Sequence, residues 1–343
     1  MIFRQLFDSV SGTYTYLLAS RHGGEALIID PVLEKVDRYL QLMRELDVKL
    51  VKAVDTHLHA DHIIGLGALR DQTHCVTVMS EQTKADVVAM RVAEGDRIAI
   101  DGLKLDVLYT PGHTDDSCSF VMDGRVFTGD TLLIRGTGRT DFQNGDPRAQ
   151  YDSIFNKLLR LPDETLLYPA HDYKGDTVST IGEEKRFNPR LRVKSIDEYA
   201  ELMNNLNLPN PKMMDVAVPA NMHVGLHQDE VARKGWSVTA ADALKQCERR
   251  DVTLIDLRET SERERHGFIP GSLHAPYAEL QRNIAIGGML RGLNERTRLL
   301  FYCAFGERSA MAVQAAQDAG LRTAGHIEGG IDAWKTAGGS IAK

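Results

Sequence analysis

The chain lacks the features that would mark a membrane, secreted or nucleic-acid-binding protein. No apolar run in its 343 residues approaches the roughly 18 that a membrane span needs. The stretch Met1-Ile2-Phe3-Arg4-Gln5-Leu6-Phe7 reaches polar residues too soon for the apolar centre of an export signal. Cysteine is scarce: Cys75, Cys118, Cys247 and Cys303 stand far apart with no paired spacing. A disulfide framework is therefore not expected, and free thiols in a reducing, cytoplasmic compartment are. Positive charge is short as well, and a formal net charge of −7 argues against a general nucleic-acid binder. What remains, 43% apolar and 26% charged, is an ordinary globular composition, long enough for two domains with a substantial core.

Histidine, by contrast, is concentrated. Thr56-His57-Leu58-His59-Ala60-Asp61-His62 comes directly after an apolar strand expected over 50–55. Histidines two apart in extended backbone project to the same side, so His57 and His59 can converge on one cation. Asp61 and His62 lie at the turn into a helix expected near 63–70. Around this run the pattern predicts strands over 13–19, 25–30 and 75–79 and a helix over 33–46, apolar at Val36, Leu40, Met43 and Leu46. Segments 97–100 and 104–109 read as a hairpin about Asp101-Gly102. Three further loci repeat one arrangement, an apolar strand ending in a ligand type: 105–109 leads to His113, 125–127 to Asp130, and 165–168 to His171.

The series His57-x-His59-x-Asp61-His62, His113, Asp130 and His171 resembles the ligand series of the metallo-β-lactamase superfamily. That resemblance implies an α/β fold, an αββα sandwich with metal at one edge of its two sheets. Hydrolases, nucleases and oxygenases share the scaffold, so the fold alone does not name the reaction. A thioester hydrolase of the glyoxalase II type would use all seven residues for two Zn(II) bridged by Asp130. A persulfide dioxygenase would use His57, His113 and Asp130 for one Fe(II), leaving positions open for sulfur and O2. His59, Asp61, His62 and His171 would then orient the ligands by hydrogen bonding. Zn(II) has no redox chemistry and cannot serve the second reaction.

Neighbouring segments separate the two. The segment 130–143, with Tyr168-Pro169-Ala170-His171-Asp172-Tyr173 and Asn204-Asn205-Leu206-Asn207-Leu208-Pro209, resembles persulfide dioxygenases. The likeness runs from near Tyr14 to about Gly225 and departs at Thr137, where some relatives carry cysteine. It implies oxidation of glutathione persulfide by O2 to sulfite, with glutathione released. Arg139 offers a planar fork for a glutathione carboxylate or, equally, an ion pair with Asp141, and Tyr173 matches a glutathione-binding tyrosine of the glyoxalase II relatives. The same resemblance implies a homodimer.

A helix expected over 190–207 closes this first domain, residues 1–225, and prolines 209, 211 and 219 interrupt the chain beyond that helix. The connector is placed at 226–235, with His223 and His227 as surface residues, and the second domain at 236–343. There a helix over 239–249, strands over 253–257 and 298–303, and a helix over 308–319 predict a doubly wound parallel sheet. Its chemical centre is the loop Cys303-Ala304-Phe305-Gly306-Glu307-Arg308-Ser309, which leaves a buried strand and enters an Ala-rich helix. Backbone N–H groups and a helix N-terminus favour a Cys303 thiolate, and Arg308 adds a cation for an anionic substrate. Cys75, Cys118 and Cys247 have no such surroundings and read as packing thiols.

With Ile255-Asp256-Leu257-Arg258-Glu259, Gly267-Phe268-Ile269-Pro270-Gly271-Ser272 and the ending Gly325–Trp334, the loop resembles a rhodanese. That implies a Cys303 persulfide exchanging sulfane sulfur between thiosulfate and glutathione, in either direction, with Asp256 and Arg258 orienting the loop. A cysteine phosphatase would carry one more residue between cysteine and arginine, and an inactive rhodanese-like module usually lacks the cysteine. Fusion favours a bifunctional enzyme, because a rhodanese makes or uses the persulfide a dioxygenase consumes. The alternatives are a zinc thioester hydrolase fused to a rhodanese, or a non-catalytic persulfide sensor.

Overall fold

The computed structural model describes all residues except 87, 143, 207, 210–212, 223–227 and 250–251, so His223, His227 and the start of the expected connector lie outside the described residues. The chain divides into two compact units, residues 1–85 with 90–224, and residues 86–89 with 225–343. Among the described residues no helix is long and apolar enough to cross a membrane.

The first unit holds two six-stranded sheets. One contains β1 (Ile2–Asp8), β2 (Thr13–Ala19), β3 (Glu25–Ile29), β4 (Lys49–Val54), β5 (Val76–Ser80) and β6 (Met90–Val92), in that spatial order. The other runs in the order β12-β11-β10-β9-β8-β7, built from β7 (Arg97–Ile100), β8 (Leu103–Tyr109), β9 (Cys118–Met122), β10 (Arg125–Gly129), β11 (Leu166–Pro169) and β12 (Ser179–Thr180). Strand alternation sorts the side chains into layers. Tyr16, Phe127 and Tyr168 meet between the sheets, with Tyr16 and Phe127 ring centroids 5.0 Å apart. Their neighbours face outward. Thr15 bonds Tyr39 of α1 (Val36–Glu45) at 2.9 Å, and α2 (Leu66–Thr73) lies against the same sheet through buried Leu66 and Leu69. Val126 and Leu167 turn to a core shared with Ile154, Leu158, Ile181, Tyr199 and Met203. These come from α3 (Pro147–Asp152) and the turns after it, α4 (Ile181–Phe187) and α5 (Ile196–Asn204). The result is the expected αββα sandwich.

The structure corrects several element bounds. The second helix starts at Leu66 rather than near 63, because Ile64 is drawn into a bridge with Val32. The closing helix over 190–207 is in fact a short 3₁₀ turn, Pro189–Leu191, and then α5. Asn188 caps the turn, and Ser195 caps α5 by accepting from the Glu198 N–H, so the helix begins anew there. Strands β1, β6 and β9, not expected from the sequence, are defined by their pairing. A final helix, α6 (Met214–Asn221), ends the described part of this unit.

The second unit is a parallel sheet flanked by helices, as the alternation predicts. Its strand order is β13-β17-β16-β14-β15, from β13 (Ser237–Val238), β14 (Val252–Asp256), β15 (Leu273–His274), β16 (Arg298–Tyr302) and β17 (Gly325–Ile327), and every pairing is parallel. Part of the stretch expected as connector is helical, α7 (Gln228–Arg233). The remaining helices are α8 (Ala240–Glu248), α9 (Thr260–His266), α10 (Leu280–Ile284), α11 (Met289–Asn294), α12 (Glu307–Asp318) and α13 (Gly330–Thr336). Leu254, Leu300, Tyr302, Ile327 and Trp334 form its core.

Helix α5 is fastened by Tyr199, whose buried hydroxyl donates to Gln150 Oε1 at 2.8 Å. Tyr199→Phe leaves that acceptor unpaired, so denaturant unfolding of the first unit should show a loss of about 1–3 kcal/mol. An unchanged midpoint would count against the docking role.

Candidate functional site

Parallel neighbours end at the same edge of a sheet, and this brings the ligand types together. β3 runs parallel to β4, and β10 to β11, so Asp30, the His57 run, Asp130 and His171 all leave strands at one edge of the sandwich. Asp30 accepts from the Thr56 N–H at 2.7 Å and from the Thr56 hydroxyl at 3.1 Å, tying two strand ends together. With its proton given to Asp30, Thr56 Oγ1 accepts from His57 Nδ1 at 2.9 Å. His113 Nδ1 donates to the Arg139 carbonyl at 2.7 Å. Both tautomers are thereby set, and Nε2 of each ring is left as a lone-pair donor. One ligand atom each from His57, His113 and Asp130 lie within 4.8 Å of one another, all buried.

A second group, His59, Asp61, His62 and His171, meets the same distance. His171 is clamped between two carboxylates, Nδ1 at 2.7 Å from Asp130 and Nε2 at 2.7 Å from Asp61. Burial opposes charge on both sides of this cluster. Asp130 and Asp61 overcome it and hold His171 well above the usual imidazole range, while His171, His113 and His57 hold Asp130 well below the carboxylate range. The Thr13 hydroxyl adds contacts to Asp61, His62 and His171 at 3.2, 3.2 and 3.0 Å. His59 Nδ1 and His62 Nε2 are buried without a hydrogen-bond partner. Buried imidazole nitrogens are seldom orphaned, and here they point to a cation. The donor set, imidazole nitrogens with their far protons already placed and carboxylates between them, fits a bound divalent metal.

The structure thus gathers all seven sequence-predicted metal residues at one edge. Thr13, Asp30 and Thr56 were not singled out by sequence. Asp30 carries the same strand-end signal as Asp130, whereas Thr13 lies 48 and 158 positions from Asp61 and His171 and has no local signature. Arg139 forms the ion pair with Asp141. Its fork is engaged by Asp141 through two bonds of 2.6 Å, and it also donates to the Leu208 and Pro209 carbonyls. It braces the loop that carries Gly138. Tyr173 is 73% exposed and stacks on His171 with ring planes 6° apart.

In the second unit, Cys303 leaves β16 fully buried, with the Gly306 N–H 3.1 Å from Sγ. Gly306 has φ +100, a left-handed conformation that glycine adopts without strain. Ala304 is half-buried, Phe305 exposed, and Glu307 buried in the first turn of α12. Arg308 is buried, and its guanidinium forks onto Glu262 at 2.7 and 2.6 Å. Asp256 and Arg258 form a second buried pair, to which Tyr302 donates at 2.7 Å. Burial pushes the Cys303 thiol above its usual range, against the pull of Arg308 and the Ser309 and Gly306 N–H groups. The expected bias toward thiolate is therefore outweighed in this conformation.

Known proteins place both units. The family model for the metallo-beta-lactamase superfamily matches residues 9–87 and 81–171, and that for the rhodanese-like domain residues 239–337. The chain is 48% identical over 229 residues to persulfide dioxygenase ETHE1, mitochondrial, of Mus musculus, covering 66% of this chain and 89% of that protein. A hydroxyacylglutathione hydrolase of Idiomarina loihiensis is 30% identical over 219 residues, covering 62% and 82%. The crystal structure of ETHE1 from Myxococcus xanthus superposes with a TM-score of 0.63 at 56% identity, covering 65% of this chain and 98% of that one.

This geometry makes two outcomes testable. A Cβ on Gly138 would sit far inside contact distance of the Asp130 carbonyl and 2.8 Å from His113 Nδ1. Gly138→Ala should lower metal affinity by at least about tenfold, read by chelator competition; wild-type affinity would rule out the close approach. Because a raised thiol is protonated at neutral pH, alkylation of Cys303 by iodoacetamide should climb about tenfold per unit between pH 7 and 8.5. Peptide mass spectrometry separates it from Cys247, and a flat profile would show a preformed thiolate.

Proposed function

The chain belongs to the metallo-β-lactamase superfamily, with persulfide dioxygenase homologues over its first unit and a rhodanese-like domain behind it; on that premise we propose a bifunctional enzyme of sulfur metabolism. The first unit takes glutathione persulfide, O2 and water to glutathione, sulfite and protons. The second exchanges sulfane sulfur between thiosulfate and glutathione. The observation that carries the reading is the 48% identity to a persulfide dioxygenase, against 30% to a hydroxyacylglutathione hydrolase.

In the first unit His57, His113 and Asp130 would hold the metal. Fe(II) supplies redox access to O2, which Zn(II) lacks. The protein's part is positional. Thr56 and the Arg139 carbonyl keep both imidazoles presenting Nε2, and the His171 ring bridges Asp61 and Asp130. Tyr173, exposed above His171, is the candidate contact for the glutathione moiety, while Arg139 serves it by holding the loop.

In the second unit the Cys303 thiolate attacks the outer sulfur of thiosulfate. A new S–S bond forms, the old one breaks, and sulfite leaves with the electron pair. The glutathione thiolate then attacks the outer sulfur of the cysteine persulfide, and Cys303 departs as thiolate. The Gly306 N–H steadies the anionic sulfur at each stage. Run backwards, the same steps make thiosulfate from persulfide and sulfite.

One observation favours the zinc hydrolase as a second reading: the orphaned His59 Nδ1 and His62 Nε2 could take a second ion. Metal analysis of protein purified without added metal separates the two, one iron for the oxygenase and two zincs for the hydrolase. His113→Ala should abolish O2 uptake with glutathione persulfide and spare sulfur transfer, and Cys303→Ser should do the reverse. Loss of both activities in either variant would sink the assignment of separate sites.

A further inference from the structure

The loop that carries His57, His59, Asp61 and His62 has no ladder of its own to satisfy its backbone. Residues 56–63 lie outside helix and strand, and buried peptide groups there need partners from elsewhere. Asp116 supplies one, accepting from the Leu58 N–H at 3.1 Å. Asn221 supplies three. Its Oδ1 accepts from the Ile64 N–H at 2.9 Å, and its Nδ2 donates to the carbonyls of His59 and His62 at 2.9 and 2.8 Å. Asn221 is 1% exposed, and its bonds span 157–162 positions of sequence. One amide orientation satisfies all three contacts, since the oxygen faces the donor and the nitrogen faces both acceptors.

The helix behind this carboxamide fits the same face. In α6, Ala217 and Asn221 are spaced by one turn and both buried. Val218 and Met222, at the same spacing, line a cavity of about 120 Å³ with Leu58, Thr114 and Asp116. Helix α6 therefore docks against the main chain of the ligand run. Asn221 also lies beyond residue 171, where the superfamily match ends.

We infer that Asn221 is a positioning residue of the metal centre, fixing the backbone between His59 and Ile64 so that His59, Asp61 and His62 keep their places around the ion. The role holds for either metal and either reaction, because it acts on the main chain of the ligand loop. A carboxylate at this position would keep the acceptor for Ile64 but lose both donors, and would set negative charge against two carbonyl oxygens.

The test uses the full chain with Asn221→Ala and Asn221→Asp. Affinity is measured for Fe(II) alone and for Zn(II) alone by chelator competition, and exchange of amides 59–64 is monitored by mass spectrometry in metal-free protein. Both dissociation constants should rise by about 10–100-fold, the usual effect of losing a group that orients ligands, and exchange at Ile64 should quicken in Asn221→Ala. A role confined to stability would lower the melting temperature of metal-free protein and leave both affinities within about twofold of wild type, which overturns the inference. If Asn221→Ala does not fold, Asn221→Asp carries the affinity comparison with the same two outcomes. A wild-type chain that takes up neither ion would overturn the metal reading and this inference with it; unchanged affinity in the variants overturns the inference alone.

Discussion

Charge that is buried must be paired, and the sandwich edge obeys this at its limit. Asp61, Asp130 and His171 are largely withdrawn from water, and each would be costly alone. Together they form a chain of opposite charges, with the imidazole of His171 shared by two carboxylates. That chain fixes where Asp130 points, and Asp130 in turn faces His113 at 3.6 Å. The ligand set for a metal is thus shaped by groups that also satisfy one another.

The second unit solves a related problem in another way. Arg258 and Arg308 are among the largest fully buried side chains in the protein, and each is neutralised by a carboxylate, Asp256 or Glu262. The Cys303 sulfur has the Gly306 N–H and the Ser309 hydroxyl as its short-range partners. Both units place chemistry in loops that leave the carboxyl ends of strands, where parallel neighbours converge and the backbone is free to turn. A persulfide is common to the two proposed reactions, which gives the fusion a chemical reason.

How much of this could be read in advance differs from residue to residue. His57, His59, Asp61 and His62 announce themselves because four ligand types crowd one short run, and His113, Asp130 and His171 because each ends an apolar strand. Cys303 stands out by sitting between a buried strand and an Ala-rich helix. The parallel sheet of the second unit follows from strand–helix alternation and the αββα sandwich from the resemblance carried by the ligand series, and the structure agrees on both. Thr13 and Asn221 were silent, since each acts through partners remote in sequence.

By itself, then, the sequence determined which chemistry is present: the residue types, their order, and the periodicities that make strands and helices. These are local properties, written within a few residues of each position. Only the tertiary structure decided how each group is used. Arg308 reads in the chain as a cation for substrate, yet folding brings Glu262 onto it from 46 positions away. A side chain's partner is set by distance in space, and contacts spanning more than 150 positions leave no trace in local pattern.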